Sequence, residues 1–94
     1  MEITVRSSMH ISEIFGSSSI CVEICEPITL GGLLRELADT YGQEFYSAVC
    51  NDSGYPDDKV VIMINGIGAI AKQGIDTQVS DGDEILILPF ISGG

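Results

Sequence analysis

TLGGLLRELADTYG, residues 29–42, carries the longest helical period in the chain. Leu30, Leu33, Leu34, Leu37, Ala38 and Tyr41 fall at i, i+3, i+4, i+7, i+8 and i+11, which is a single apolar stripe. Thr29 stands where an N-cap is wanted, its hydroxyl oxygen free to accept from a first-turn N–H. Gly42 stands where a left-handed residue closes a helix. Gly31 and Gly32 work against the helix, each costing about 1 kcal/mol relative to Ala in a helix interior. Such a helix needs a sheet to pack on, or its glycines serve a close approach by another segment.

The flanking sequence supplies that sheet. Residues 1–6 alternate, with Met1, Ile3 and Val5 on one face, as in a half-buried strand. Residues 7–19 read as a loop with one short helical turn around 11–15. Residues 20–25 alternate again and suggest an antiparallel hairpin with the first strand. Pro27 breaks that strand. Beyond the long helix, residues 43–50 offer a second, short helix, and 51–59 are rich in turn formers. Residues 60–64 are continuously apolar, and so are 85–88; both read as strands covered on two faces. Asn65-Gly66 signals a turn, residues 68–72 a short edge strand, and 74–83 a succession of turns. Pro89 ends the last strand.

The order β β α, short α, β β β is satisfied by a sheet with one long helix across a face. The first and last strands are both apolar and therefore central. Pairing them in parallel needs a crossover, which the helix provides. The expected fold is thus α+β, a β-grasp with a mixed sheet of about five strands and one main helix. One domain is expected over 1–94, with a flexible tail at 90–94.

Composition narrows the function. Four Lys and Arg stand against 14 Asp and Glu, a net charge of −10, with 45% hydrophobic residues. That apolar content separates the chain from disordered acidic tails. At this length a chain buries roughly 60–65% of its unfolded surface, enough for one modest core. The negative charge argues against nucleic acid and anionic membranes as partners. Three cysteines cannot close a complete set of intrachain disulfides. No N-terminal segment resembles a secretory signal, and no apolar run approaches the ~20 residues of a membrane span. A reducing, cytoplasmic setting is expected.

Gly66-x-Gly68-x-x-Ala71 after an apolar strand imitates a dinucleotide fingerprint, but Gly74 stops the helix that the pyrophosphate requires. Cys21 and Cys25 lie about 13 Å apart in a predicted strand at ~3.3 Å per residue, too far to share a metal. With Cys50 and His10 they make a zinc set only by arithmetic, since no cysteine pair sits on a turn. Asp76, Asp81, Asp83 and Glu84 lack the spacing of a calcium loop. They read as turn chemistry or as a patch for a basic partner. His10 has no nucleophile or orienting acid beside it, so catalysis by this chain alone is not expected. No metal site is expected.

The tail is different. Pro89-Phe90-Ile91-Ser92-Gly93-Gly94 places two residues without side chains at the carboxyl end, able to thread a narrow channel. Phe90 and Ile91 are suited to an apolar groove on a partner.

Ile64-Asn65-Gly66, Gly74-Ile75-Asp76-Thr77, Asp81-Gly82-Asp83-Glu84-Ile85 and the Pro89–Gly94 ending together resemble the ubiquitin-like sulfur-carrier family. That family includes the small subunit of molybdopterin synthase and the thiamine-pathway sulfur carrier. The likeness is densest over 64–94 and departs at Phe90, where the family's usual ending has a second proline. It implies that an E1-like enzyme adenylates the Gly94 carboxylate with ATP. A sulfurtransferase then supplies the sulfur of a thiocarboxylate on Gly94. Gly93 and Gly94 are the reacting end; Pro89, Phe90, Ile91 and Ser92 are the partner-binding segment. No cofactor is expected to be held permanently. Residues 43–59 fill an insert that the shorter thiamine carriers lack. The resemblance therefore points to the large subunit of molybdopterin synthase as sulfur acceptor. Thiamine, cysteine or homocysteine synthesis and tRNA thiolation are the alternatives. Lysine tagging, with Lys59 or Lys72 as acceptor, and a ubiquitin-like interaction module without sulfur chemistry also remain.

Overall fold

Thr29 caps the long helix as its position predicts: its hydroxyl accepts the Gly32 N–H at 3.1 Å. The computed structural model describes residues 1–52, 55–69 and 72–89. In chain order these form β1 (Glu2–Ser7), α1 (Met9–Phe15), β2 (Ser19–Glu23), β3 (Ile28–Thr29), α2 (Leu30–Tyr41) and α3 (Gln43–Val49). There follow β4 (Val60–Ile64), β5 (Ile67–Gly68), a 3-10 turn (Gly74–Asp76), β6 (Gln78–Val79) and β7 (Glu84–Pro89).

The main sheet has the order β2-β1-β7-β4-β5. β1 and β7 run parallel, with Val5 opposite Ile85, and every other pair in the sheet is antiparallel. The first and last strands thus lie side by side in the middle, and α2 is carried by the crossover between them. This is the β-grasp architecture, with β3 and β6 making a small second sheet.

One core joins the layers. Leu30, Leu33, Leu34 and Leu37 of α2 pack with Ile3, Val5, Ile62, Ile64, Ile85 and Ile87 of the sheet, all nearly or wholly buried. α3 adds Phe45 and Val49, both fully buried. The turn expected around 11–15 is instead a seven-residue helix, α1, closed by Gly16 in the left-handed conformation. Its Ile11 and Phe15, one turn apart, enter the core, and the Phe15 ring meets Tyr41 edge-on at 4.8 Å between centroids. Ser8 precedes α1 without a side-chain cap, so tertiary packing forms a helix that the local sequence does not announce.

Gly42 differs from the left-handed closure expected of it. Its φ of 82° comes with a ψ of −161°, a region essentially reserved for glycine. Its N–H closes α2 on the Ala38 carbonyl, and its own carbonyl accepts from Tyr46 to begin α3. It is a hinge between two helices rather than a simple stop.

Gly31 and Gly32 serve close approach. A Cβ on Gly32 would lie 2.7 Å from Ile28 Cγ1, while one on Gly31 would lie 3.3 Å from Ile75 Cβ. The first distance demands that the Ile28 side chain on β3 shift; the second needs a few tenths of an ångström. Gly32→Ala is therefore expected to lose about 1–2 kcal/mol, overpacking outweighing the propensity gain. Gly31→Ala is expected to be near neutral. Urea unfolding of the two variants reads the contrast, and equal stabilities would contradict the packing described for β3 against α2.

β4 and β7 are not covered on both faces. Ile62, Ile64, Ile85 and Ile87 are buried, but the alternate residues Val61, Met63, Leu86 and Leu88 are only half-buried. The helices pack on the face that buries the isoleucines, so the other side of the pleat faces outward.

Candidate functional site: the last strand and the open sheet face

β7 is held from both sides, by β1 and by β4, and its last residue, Pro89, lies opposite Val60. A proline lacks the N–H that a ladder uses, so it suits the end of a strand. Of the six residues singled out in the tail, Pro89 is described and half-buried. Phe90, Ile91, Ser92, Gly93 and Gly94 lie outside the described residues. The fold therefore anchors the segment leading into the tail on the middle strand of the sheet.

Beside that strand lies an apolar surface that the sequence reading missed. Met63 pairs with Leu86 and Val61 with Leu88, and direct partners share a face. These four half-buried side chains form a strip that runs along β7 toward Pro89. Arg6 lies next to Leu86 in the parallel register and approaches Glu84 at 3.7 Å, an exposed pair that contributes little stability. The signal was present: with helices on one face only, every second residue of an apolar strand must point away from them.

The acids near the preceding turn are structural. Asp81 Oδ1 accepts the Glu2 N–H at 2.7 Å, and Asp83 Oδ2 accepts that of Ser80 at 2.8 Å. Asp83 Oδ1 also takes the Asn65 side-chain amide at 3.0 Å, while Asn65 Oδ1 accepts the Glu84 N–H at 2.9 Å. The Asp81-Gly82-Asp83-Glu84 turn thus latches the start of β7 to β1 and to the β4–β5 turn. Among the described residues, no three His, Cys, Asp or Glu side chains group as a metal site. Gly68, of the glycine motif, lies on β5.

All three cysteines are free thiols; Cys21 and Cys25 are exposed and Cys50 is buried. Burial pushes the Cys50 thiol above its ordinary range, suppressing its thiolate. A maleimide at neutral pH is expected to label Cys21 and Cys25 quickly and Cys50 only after denaturation. Mass spectrometry of labelled peptides reads this, and equal labelling of all three in the native chain would contradict the packing of α3. Lys59, Lys72 and His10 are exposed. Among the described residues, no helix is long and apolar enough to cross a membrane.

The profile of the ThiS family matches residues 10–94. Small archaeal modifier protein 3 of Haloferax volcanii is 27% identical over 94 residues, covering all of both chains. A protein of Archaeoglobus fulgidus, named as a candidate sulfur carrier, is 29% identical over 69 residues, 73% of this chain and 77% of its own. The solution structure of small archaeal modifier protein 1 from Methanosarcina acetivorans superposes with a TM-score of 0.79 at 26% identity, covering 99% of this chain and 96% of that one.

Proposed function

The chain belongs to the ThiS family of small ubiquitin-like carriers and modifiers, and from that premise we propose that it is a sulfur carrier working through the Gly94 carboxylate. The observation that carries this reading is the placement of β7: a central strand ends at Pro89, beside an open apolar face, and leads into Phe90-Ile91-Ser92-Gly93-Gly94. An E1-like adenylating enzyme docks on the face formed by Val61, Met63, Leu86 and Leu88, and takes the tail into its active site. Residues without side chains let the carboxylate reach a buried ATP.

The chemistry follows from leaving groups. A carboxylate is unreactive toward nucleophiles because its leaving group would be oxide. Attack of a Gly94 carboxylate oxygen on the α-phosphorus of ATP forms the acyl-adenylate and releases pyrophosphate. A nucleophilic sulfur then adds to the acyl carbon and AMP departs. Where that sulfur arrives as a persulfide on a sulfurtransferase cysteine, a second thiol must cleave the S–S bond to free the thiocarboxylate. The activated sulfur passes to an acceptor enzyme, and the large subunit of molybdopterin synthase is the acceptor first tested.

The full-length likeness to a protein modifier favours a second reading. In it, the activated Gly94 acyl group passes to a lysine amine as an isopeptide. Both readings share the adenylation step and divide afterwards.

Chain-dependent ATP–pyrophosphate exchange by the organism's own adenylating enzymes tests the shared step. Met63→Lys with Leu86→Lys is expected to raise KM for the chain at least about tenfold, because a buried unpaired charge at a docking face is costly. An unchanged KM would remove the sheet face from the proposal. Sulfur donor added to the activated chain then separates the readings, by thiocarboxylate or by lysine conjugates.

A further inference from the structure

A groove of about 620 Å³ lies at the end of the sheet, between the 55–58 segment, β4 and the 3-10 turn. Its apolar walls include Tyr55, Val61, Ala69 and Ile75. Tyr55 is a large aromatic left 53% exposed, so its ring face is open to a partner. Asp57, Asp58 and Asp76 also line the groove. Among the described residues none of these acids has an ion-pair partner, the one such pair being Arg6 with Glu84. Asp57 Oδ1 accepts the Lys59 N–H at 2.8 Å and so is engaged locally. The Asp58 and Asp76 carboxylates are exposed.

Two features identify the occupant. The lining is apolar with uncompensated negative charge, in a chain of net charge −10. A long cationic side chain meets both demands: its stem covers apolar surface while its head meets carboxylate, and a guanidinium also stacks on an aromatic face. Position supplies the second. Val61 belongs both to the groove and to the open sheet face, and Val60, another wall residue, pairs with Pro89 where the tail departs. A protein that holds the tail and covers the sheet face therefore lies beside one wall of this groove.

We propose that the groove receives an arginine-bearing segment of the adenylating enzyme, its guanidinium between Asp58 and Asp76 and its stem against Tyr55. This rests on the docking proposed above. It assigns to the acids outside the latched turn the role of complementing a basic partner.

The test uses the full-length chain carrying Asp58→Lys and Asp76→Lys, both exposed positions, with its amide NMR spectrum as the check on folding. In ATP–pyrophosphate exchange, KM for the chain is expected to rise at least about tenfold with kcat unchanged. The wild-type KM is expected to climb with salt more steeply than that of the variant. A KM within twofold of wild type overturns the proposal while leaving the carrier reading intact. No exchange with the wild-type chain, beside an established carrier that its own enzyme activates, overturns the carrier reading instead.

A second measurement needs no enzyme. The ¹⁵N-labelled chain is titrated with an acetylated, amidated peptide of sequence RFRG. Shifts concentrated at Tyr55, Ala69, Ile75 and Asp76, lost in the double variant, support the groove. Shifts scattered over acidic residues elsewhere, or none at millimolar peptide, overturn it. Movement of the same four amides on concentrating the chain alone would mean that a second copy occupies the groove, and would also overturn it.

Discussion

Deleting Gly94 is expected to abolish chain-dependent ATP–pyrophosphate exchange, by more than about a thousandfold in kcat/KM. The shortened chain still ends in a glycine carboxylate, so its charge and chemistry are unchanged. Only reach differs, by about 3.3–3.6 Å, one extended residue. Misplacing a reacting group by about 1 Å can cost a hundredfold, so a full residue removes the carboxylate from attack distance on the α-phosphorus. Appending an alanine after Gly94 is expected to fail as severely, because it adds a side chain as well as length. The described sheet pairing ends at Pro89 opposite Val60, so neither variant is expected to shift the unfolding midpoint. A truncated chain that still supports exchange would mean that the enzyme adenylates the Gly93 carboxylate as readily, so that reach does not set the reacting residue.

Phe45→Ala is expected to cost about 3–5 kcal/mol, among the largest losses available to a single substitution here. Phe45 is fully buried on α3 and its ring lies 5.6 Å from that of Phe15 on α1. Tyr41 of α2 meets Phe15 from another side, so one aromatic cluster ties three helices together. Small domains hold only about 5–15 kcal/mol in total, so this substitution removes a large fraction of the stability. Urea unfolding followed by circular dichroism measures the loss. A cost below about 1 kcal/mol would mean that α3 is not packed on the core as described.

Much of this fold was written locally. The 29–42 stripe, its threonine cap and the two central apolar strands are short-range patterns, and each became the element that they imply. α1 was not legible at its full length because its cap is backbone only and its stability comes from Ile11 and Phe15 meeting distant residues. β3 and β6 escaped notice because each is two residues long and exists through the other: Ile28 pairs with Val79, and the Leu30 N–H reaches the Thr77 carbonyl at 2.8 Å. A pattern of two residues carries no period to read.

The candidate site divides in the same way. The tail residues stand out because glycine pairs at an end are chemically unusual. The sheet face did not, because an unbroken apolar run such as 60–64 looks alike whether one face or two are covered. Only the position of the helices shows that Val61, Met63, Leu86 and Leu88 lie on the open side. The roles of Asp81 and Asp83 likewise required knowing that Glu2, Ser80 and Asn65 converge on them.

The most direct measurement incubates the purified chain with ATP, a sulfur donor and the organism's adenylating enzyme, then takes the intact mass and fragments the carboxyl end. A sulfur-for-oxygen exchange is predicted, located on Gly94 and absent from a chain lacking it. Fragmentation matters because oxidation of Cys21, Cys25 or a methionine adds nearly the same mass. A Gly94 carboxylate left unmodified by every adenylating enzyme of the organism, under conditions that convert an established carrier with its own enzyme, would contradict the account.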